Sequence, residues 1–191
     1  MLLETLLLSP CFLSGKTSHK DSQTTLSVNK NDLSDDETLL FFDIDDQTEH
    51  HCDINDENNH RRKLREFFWQ QQDGHSLCDL LVFYAKGNER IFCFVELKDN
   101  KSDFPKATKQ VISTYEAFKG ELAIEFRAKY IAKAFICCSR GSLPQEYRTH
   151  QDNLKAKFGN NFESDGKSGN FLNFLRGESS KFQAKGNRRK K

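Results

Sequence analysis

The chain has 191 residues, 36% of them apolar and 30% charged, with a formal net charge of +1. That is enough for one medium core plus tails, and no apolar run approaches the roughly 20 residues of a membrane span, which argues against a helical membrane protein. The small net charge hides a segregation: residues 1–60 hold 3 basic and 13 acidic residues, 61–97 hold 6 and 5, and 98–191 hold 20 and 10. The basic C-terminal half points to a polyanion, nucleic acid before membrane.

In chain order, the apolar start Met1–Leu8 lacks a basic leader and reads as a short docking helix, not a targeting segment. Residues 9–37 are rich in Ser, Thr, Asn, Asp and Lys, which suggests a loop or disordered segment. Leu39–Ile44 is a short strand candidate, and Asp45–Asn59 is acidic and turn-like. Lys63–Gln70 alternates as a strand would, before an Asp73-Gly74 turn. Leu77–Ala85 and Arg90–Lys98 are strong strands joined at Lys86-Gly87-Asn88-Glu89, where Gly in the first central place suits a type II′ turn.

Ser102-Asp103-Phe104-Pro105 opens a helix expected to run to about Lys119, with a second helical stretch over Glu121–Lys129. Tyr130–Cys138 reads as a buried strand. Ser142-Leu143-Pro144-Gln145 resembles a capping box whose helix stops at Gly159. Beyond Asn160 only Phe171–Leu175 looks ordered, and Lys181–Lys191 is a basic tail. These elements predict a mixed α/β domain with an antiparallel hairpin at its centre. It divides into an acidic, partly disordered extension (1–60), a core (61–160) and a C-terminal segment with a basic tail (161–191). Six cysteines without a CxxC spacing suit a reducing, cytoplasmic setting.

The hairpin carries the chemistry. With Gly87-Asn88 as its centre, Asp79 falls opposite Glu96, and paired residues share a face with Cβ atoms about 5 Å apart. Lys98, two residues after Glu96, shares that face. Like charges directly opposite each other repel. A divalent cation between them would remove that repulsion, and Mg²⁺ commonly uses only one or two carboxylates. The plain alternative is a structural salt bridge in which Lys98 neutralises Asp79.

The run Asp79…Phe94-Val95-Glu96-Leu97-Lys98, followed by a helix bearing Lys106, Lys109 and Gln110, resembles the core of the PD-(D/E)xK nuclease superfamily over about residues 61–140. The resemblance implies a restriction-endonuclease-like fold, a mixed sheet with a central antiparallel hairpin flanked by helices. It implies Mg²⁺, with Mn²⁺ as a substitute, held by Asp79, Glu96 and the Leu97 carbonyl. It makes Lys98 the catalytic lysine and places Gln110 at the site. Two positions depart from the family pattern: Cys78, not Pro, precedes Asp79, and Thr114 stands where a Tyr follows the helix Gln in one branch. Upstream acidic candidates are Glu66 and Glu4. Lys106, Lys109 and Arg140 are expected phosphate contacts, with ordinary surface charge as their bland reading.

Other motifs are weaker. Phe41-Phe42-Asp43-Ile44-Asp45 resembles the start of a haloacid-dehalogenase-type phosphatase, but Gln47 stands where that pattern needs Thr. His50-His51-Cys52 with His60 lacks a second ligand pair for zinc, and His75 reads as an exposed turn residue. The expected function is therefore metal-dependent hydrolysis of nucleic acid, DNA first, in microbial defence or repair, with a homodimer as one expected assembly. The alternative is a non-catalytic nucleic-acid-binding or adaptor module. The segment Asp32–Glu57 holds 11 acidic residues and no Lys or Arg. It is expected either to lie over the basic face as a gate or to bind a protein partner.

Overall fold

The computed structural model describes residues 12–45, 49–51, 61–63, 77–121, 129–164 and 166–178. Several expectations fall outside these residues: the docking helix at 1–8, most of the 63–70 strand, the Asp73-Gly74 turn, the helical stretch after 121 and the basic tail. So do Glu4, Glu66, His60, His75 and Cys52.

The protein is α/β, built on a five-stranded mixed sheet. Its strands, in spatial order, are β3 (Glu37–Asp43), β6 (Leu80–Lys86), β7 (Glu89–Asn100), β8 (Ile131–Arg140) and β9 (Phe162–Glu163). The first three are antiparallel neighbours, whereas β7, β8 and β9 run parallel. Parallel neighbours need a crossover. Helix α1 (Phe104–Glu121) supplies the first and α2 (Tyr147–Phe158) the second. Two smaller antiparallel pairs are β1 (Ser18–Asp21) with β2 (Thr24–Ser27), and β4 (Glu49–His51) with β5 (Arg61–Lys63).

The central hairpin has the expected register, with Leu80 opposite Val95 and Lys86 opposite Glu89. Gly87 takes φ +52 at the first central turn position, where an L side chain would be strained. Because side chains alternate, each strand feeds two cores. Leu81, Phe83, Phe92, Phe94, Ala134 and Ile136 meet α1 and α2. Val82, Tyr84, Cys93, Val95, Phe135 and Cys137 meet β2 and a short helix α3 (Phe171–Leu175). Burial on both faces explains why β6–β8 read as continuous apolar runs. Helix α1 turns Phe104, Ala107, Val111 and Phe118 inward at helical spacing.

The structure revises four sequence expectations. Within the segment expected to be a loop or disordered, residues 18–27 form a hairpin, because Leu26 and Val28 anchor it in the second core. The sheet begins at β3, so the division at residue 60 does not mark where the core starts. Likewise β9 and α3 belong to the core, although both follow residue 160. The predicted capping box does not cap: α2 starts at Tyr147, with a turn from the Pro144 carbonyl to the Tyr147 N–H (3.1 Å) before it. Gly159 does end the helix, at φ +62. A Cβ on Gly166 would meet the Phe135 ring at 2.3 Å, so only glycine lets this segment lie on β8. Among the described residues no helix is long and apolar enough to cross a membrane.

Candidate active site

The ladder between β6 and β7 ends at Leu80 and Val95, and the next residues replace backbone pairing with side chains. The Asp79 N–H donates to Glu96 Oε2 (3.1 Å), and the Leu97 N–H donates to Asp79 Oδ2 (2.6 Å). The Asp79 carbonyl accepts from the Ile44 N–H (3.3 Å). Asp79 is thus fixed between β3 and β7 by its N–H, its carbonyl and its carboxylate. The Lys98 ammonium contacts Glu96 Oε1. The expected trio therefore does converge, but Lys98 takes Glu96, not Asp79, as its ion-pair partner.

Burial sets the electrostatics. The Glu96 side chain is 0% exposed and that of Lys98 15%. Burial is the main cause that pushes the Asp79 carboxyl up to about 7, with the nearby charges of Asp21 and Asp45 adding to it. The Glu96 carboxyl is pushed well above its ordinary value by burial and then by Asp79, against the opposing pull of Lys98. Lys98 itself is raised, because the surrounding carboxylates outweigh its own desolvation. One ammonium thus faces a buried carboxylate, Glu96, beside a half-buried one, Asp79. A divalent cation would reverse these shifts. The two carboxylates match what Mg²⁺ takes from a protein, with water and phosphate oxygens completing its shell. Among the described residues no group of three or more His, Cys, Asp or Glu is placed as a metal-ligand set. The oxygen donors of Asp79 and Glu96 are of the hard kind that Mg²⁺ or Mn²⁺ takes.

Behind the carboxylates, α1 fixes the entry to β6. Gln110 is buried and its amide donates to the Leu77 carbonyl (2.8 Å). The expectation that Gln110 reaches a substrate thus meets a side chain turned inward, because its helical phase places it beside Ala107 and Val111. Thr114 Oγ1 accepts from the Cys78 N–H and donates to the Gln110 carbonyl, both at 2.8 Å. These two buried polar groups hold residues 77 and 78 and so orient Asp79. Burial pushes the Cys78 thiol well up, making it packing and not a nucleophile.

The β1–β2 hairpin closes the other side. Its tip docks on β7: the Thr24 hydroxyl shares its one proton between the Lys98 carbonyl and Asp99 Oδ1, and the Gln23 N–H donates to the same carboxylate, each at 3.0 Å. Ser139 Oγ donates to the Asp99 carbonyl (2.8 Å). The sequence singled out neither Thr24 nor Asp99, and named Thr114 only as a departure from the family pattern. The alternation of Leu26 and Val28 after a polar turn was the one signal for the hairpin.

The expected phosphate contacts lie around this end of the sheet. Lys106 and Lys109 are exposed on the first turns of α1, which begins directly after β7. Arg140 is exposed at the end of β8, in register with Asn100. Of the acidic segment, Glu37 is spent on Arg176 and Tyr84, and His19 lies 3.6 Å from Asp43. Residues 46–48 and 52–57 lie outside the described residues. Comparison with known protein families, with curated proteins and with solved structures found no match for this chain.

Proposed function

We propose that the chain is a metal-dependent endonuclease hydrolysing nucleic-acid phosphodiester bonds, DNA first, on a restriction-endonuclease-like core. The observation that carries this reading is the buried Glu96 held side by side with the half-buried Asp79, with one lysine on Glu96. Folded proteins avoid such pairs unless a positive group compensates them.

Asp79 and Glu96 would hold Mg²⁺ or Mn²⁺, with the Leu97 carbonyl as a further oxygen. Bound there, the cation supplies Lewis acidity and a water acidified toward neutral pH. The chain's own residues do the rest. The Leu97 N–H and the Gln110–Thr114 pair hold the Asp79 carboxylate in place. Lys98 orients the attacking water and offsets negative charge developing on the phosphate. Lys106, Lys109 and Arg140 bind the flanking phosphates without reading sequence. A cytoplasmic role in defence or repair, and a homodimer for cutting two strands, go with this proposal.

One observation favours a second reading. Glu96 is wholly enclosed and already paired with Lys98, as in a closed structural ion pair, which suits a non-catalytic nucleic-acid-binding module. Cleavage separates the two. The purified protein is incubated with plasmid and with linear single-stranded DNA, in Mg²⁺, Mn²⁺ or EDTA, beside Glu96→Ala and Lys98→Ala. Cutting that needs the metal and is lost in both folded variants supports the enzyme. DNA binding without cutting under any metal supports the module. Cutting that survives both substitutions rejects the site.

A further inference from the structure

At the opposite end of the sheet, between the C-terminal ends of α1 and α2, lies a cavity of about 370 Å³. Its size falls in the range of small-molecule sites. The floor is made of Phe92, Phe94, Phe118 and Phe158, all buried. Tyr115 and Tyr130 form its walls. Neighbouring rings here stand 4.7 to 6.2 Å apart at tilted or edge angles, the spacing at which flat rings contact one another. Ile131, on the rim, is 36% exposed and is one of two large apolar side chains exposed among the described residues.

The polar groups at the mouth are few and specific. Lys119, Lys157 and Asn161 line it; the Asn161 backbone N–H and carbonyl are taken by Phe158 and Ala134, so the group Asn161 has left to offer is its side-chain amide, a donor and an acceptor on one edge. The Lys119 Nζ lies 5.8 Å from the centre of the Tyr115 ring. Lys157 is held by Glu116 at 2.7 Å, both exposed. A ligand that suits this set is flat and aromatic, carries a negative group, and has hydrogen-bonding atoms along one edge. A hydrocarbon ring acid has the first two properties and not the third.

We propose that this cavity binds a nucleobase with its attached phosphate, the base among the aromatic rings with its edge toward Asn161, and the phosphate at Lys119 and Lys157. The base comes either from a free nucleotide or from an unstacked position of a single strand, since both present the same chemistry and stacking on aromatic side chains tolerates any base. The site is separate from the carboxylates and does not depend on their activity.

The test is calorimetric titration of the full chain in EDTA with adenosine and uridine monophosphates, beside phenyl phosphate and inorganic phosphate. Saturable binding is expected, with Kd on the order of 100 μM. Lys119→Glu with Lys157→Glu should weaken it about tenfold or more, and Ala132→Phe, which fills the cavity, should abolish it. Glu116→Gln frees Lys157 and should tighten binding by roughly two- to fivefold. If Ala132→Phe does not fold, Asn161→Ala and the charge reversals carry the test, with a selective loss of nucleotides over phenyl phosphate expected for Asn161→Ala. A short single-stranded oligonucleotide that competes with the monophosphate assigns the base to a strand. Failure to compete assigns it to a free nucleotide. The proposal is overturned by no saturable binding up to 10 mM nucleotide (about a hundredfold above the expected Kd), by equal affinity for phenyl phosphate, or by binding indifferent to these variants. Glu96→Ala should leave nucleotide affinity unchanged, so loss of cleavage and loss of this pocket are read separately.

Discussion

Two glutamates with fully enclosed side chains stand in opposite electrostatic conditions. Glu37, on the edge strand β3, accepts from Arg176 Nε (2.7 Å) and Nη2 (2.5 Å), from the Tyr84 hydroxyl (2.5 Å), and from the Ser34 N–H and hydroxyl (both 2.9 Å). Arg176 is the first cause of a carboxyl held far below its usual range. Glu96, on the central strand β7, has the Asp79 N–H and one ammonium, and faces a second carboxylate. Its carboxyl goes the other way. Burial alone therefore does not decide what a glutamate does. The donors around it do: Glu37 is saturated and holds the fold together, while Glu96 is left short of positive charge at the place where the chemistry is proposed.

Breaking the saturated site should have the largest effect. Arg176→Ala leaves Glu37 with only the more distant Lys86 ammonium (3.5 Å) as a cation and should cost about 2–4 kcal/mol, measured by urea unfolding. A loss under 1 kcal/mol would show that the network is not holding β3. At the other site the expected loss is functional. Glu96→Gln or Lys98→Met should lower metal-dependent cleavage by roughly 10²–10³-fold.

Asp79→Asn sharpens the contrast further. Without divalent cation it should stabilise the fold by about 1–3 kcal/mol while abolishing cleavage. The pH dependence follows in sign. Asp79 is raised from 3.8 to about 7, so between those values the folded chain holds a proton that the unfolded chain releases. Its contribution to stability therefore falls as pH rises from about 4 to 7, and saturating Mg²⁺ should flatten that fall. Glu37 has the opposite sign: its contribution is present above the unfolded value near 4.5 and is lost as pH drops below it. A wild-type stability that climbs steadily from pH 4 to 8 in EDTA, with no gain from Asp79→Asn, would contradict this account of the site. The smallest effect is expected at Thr114→Val, which leaves the Cys78 N–H without its acceptor. It should cost about 1–2 kcal/mol and lower cleavage by loosening Asp79, an outcome checked by thermal unfolding and rate on the same sample.

The central hairpin was legible because its determinants are local. Gly87 sets the turn, the turn sets the register, and the register puts Asp79 beside Glu96. Helix α1 was legible from Pro105 and its apolar spacing. What stayed hidden depends on long-range partners. The β1–β2 hairpin has two apolar anchors and is fixed by Asp99, more than 70 residues away. Gln110 was placed at the site by resemblance, but its rotation on the helix, which turns it to Leu77, depends on packing. Which carboxylate Lys98 would choose depended on side-chain geometry that alternation alone does not give. Lys133 gave no sign in the sequence of its role: its buried ammonium donates to the Phe174 and Leu175 carbonyls (2.9 and 2.8 Å), fixing the end of α3.

The contact between Arg176 and Glu37 joins residues 139 positions apart. On a ribosome, β3 emerges early and its counter-ion emerges late. Until residue 176 is free, Glu37 lacks its main partner and α3 cannot cover Phe41 and Phe135. The second core is therefore completed only after most of this sequence has been synthesised, and the nascent chain must hold an open sheet face for many seconds at ordinary elongation rates.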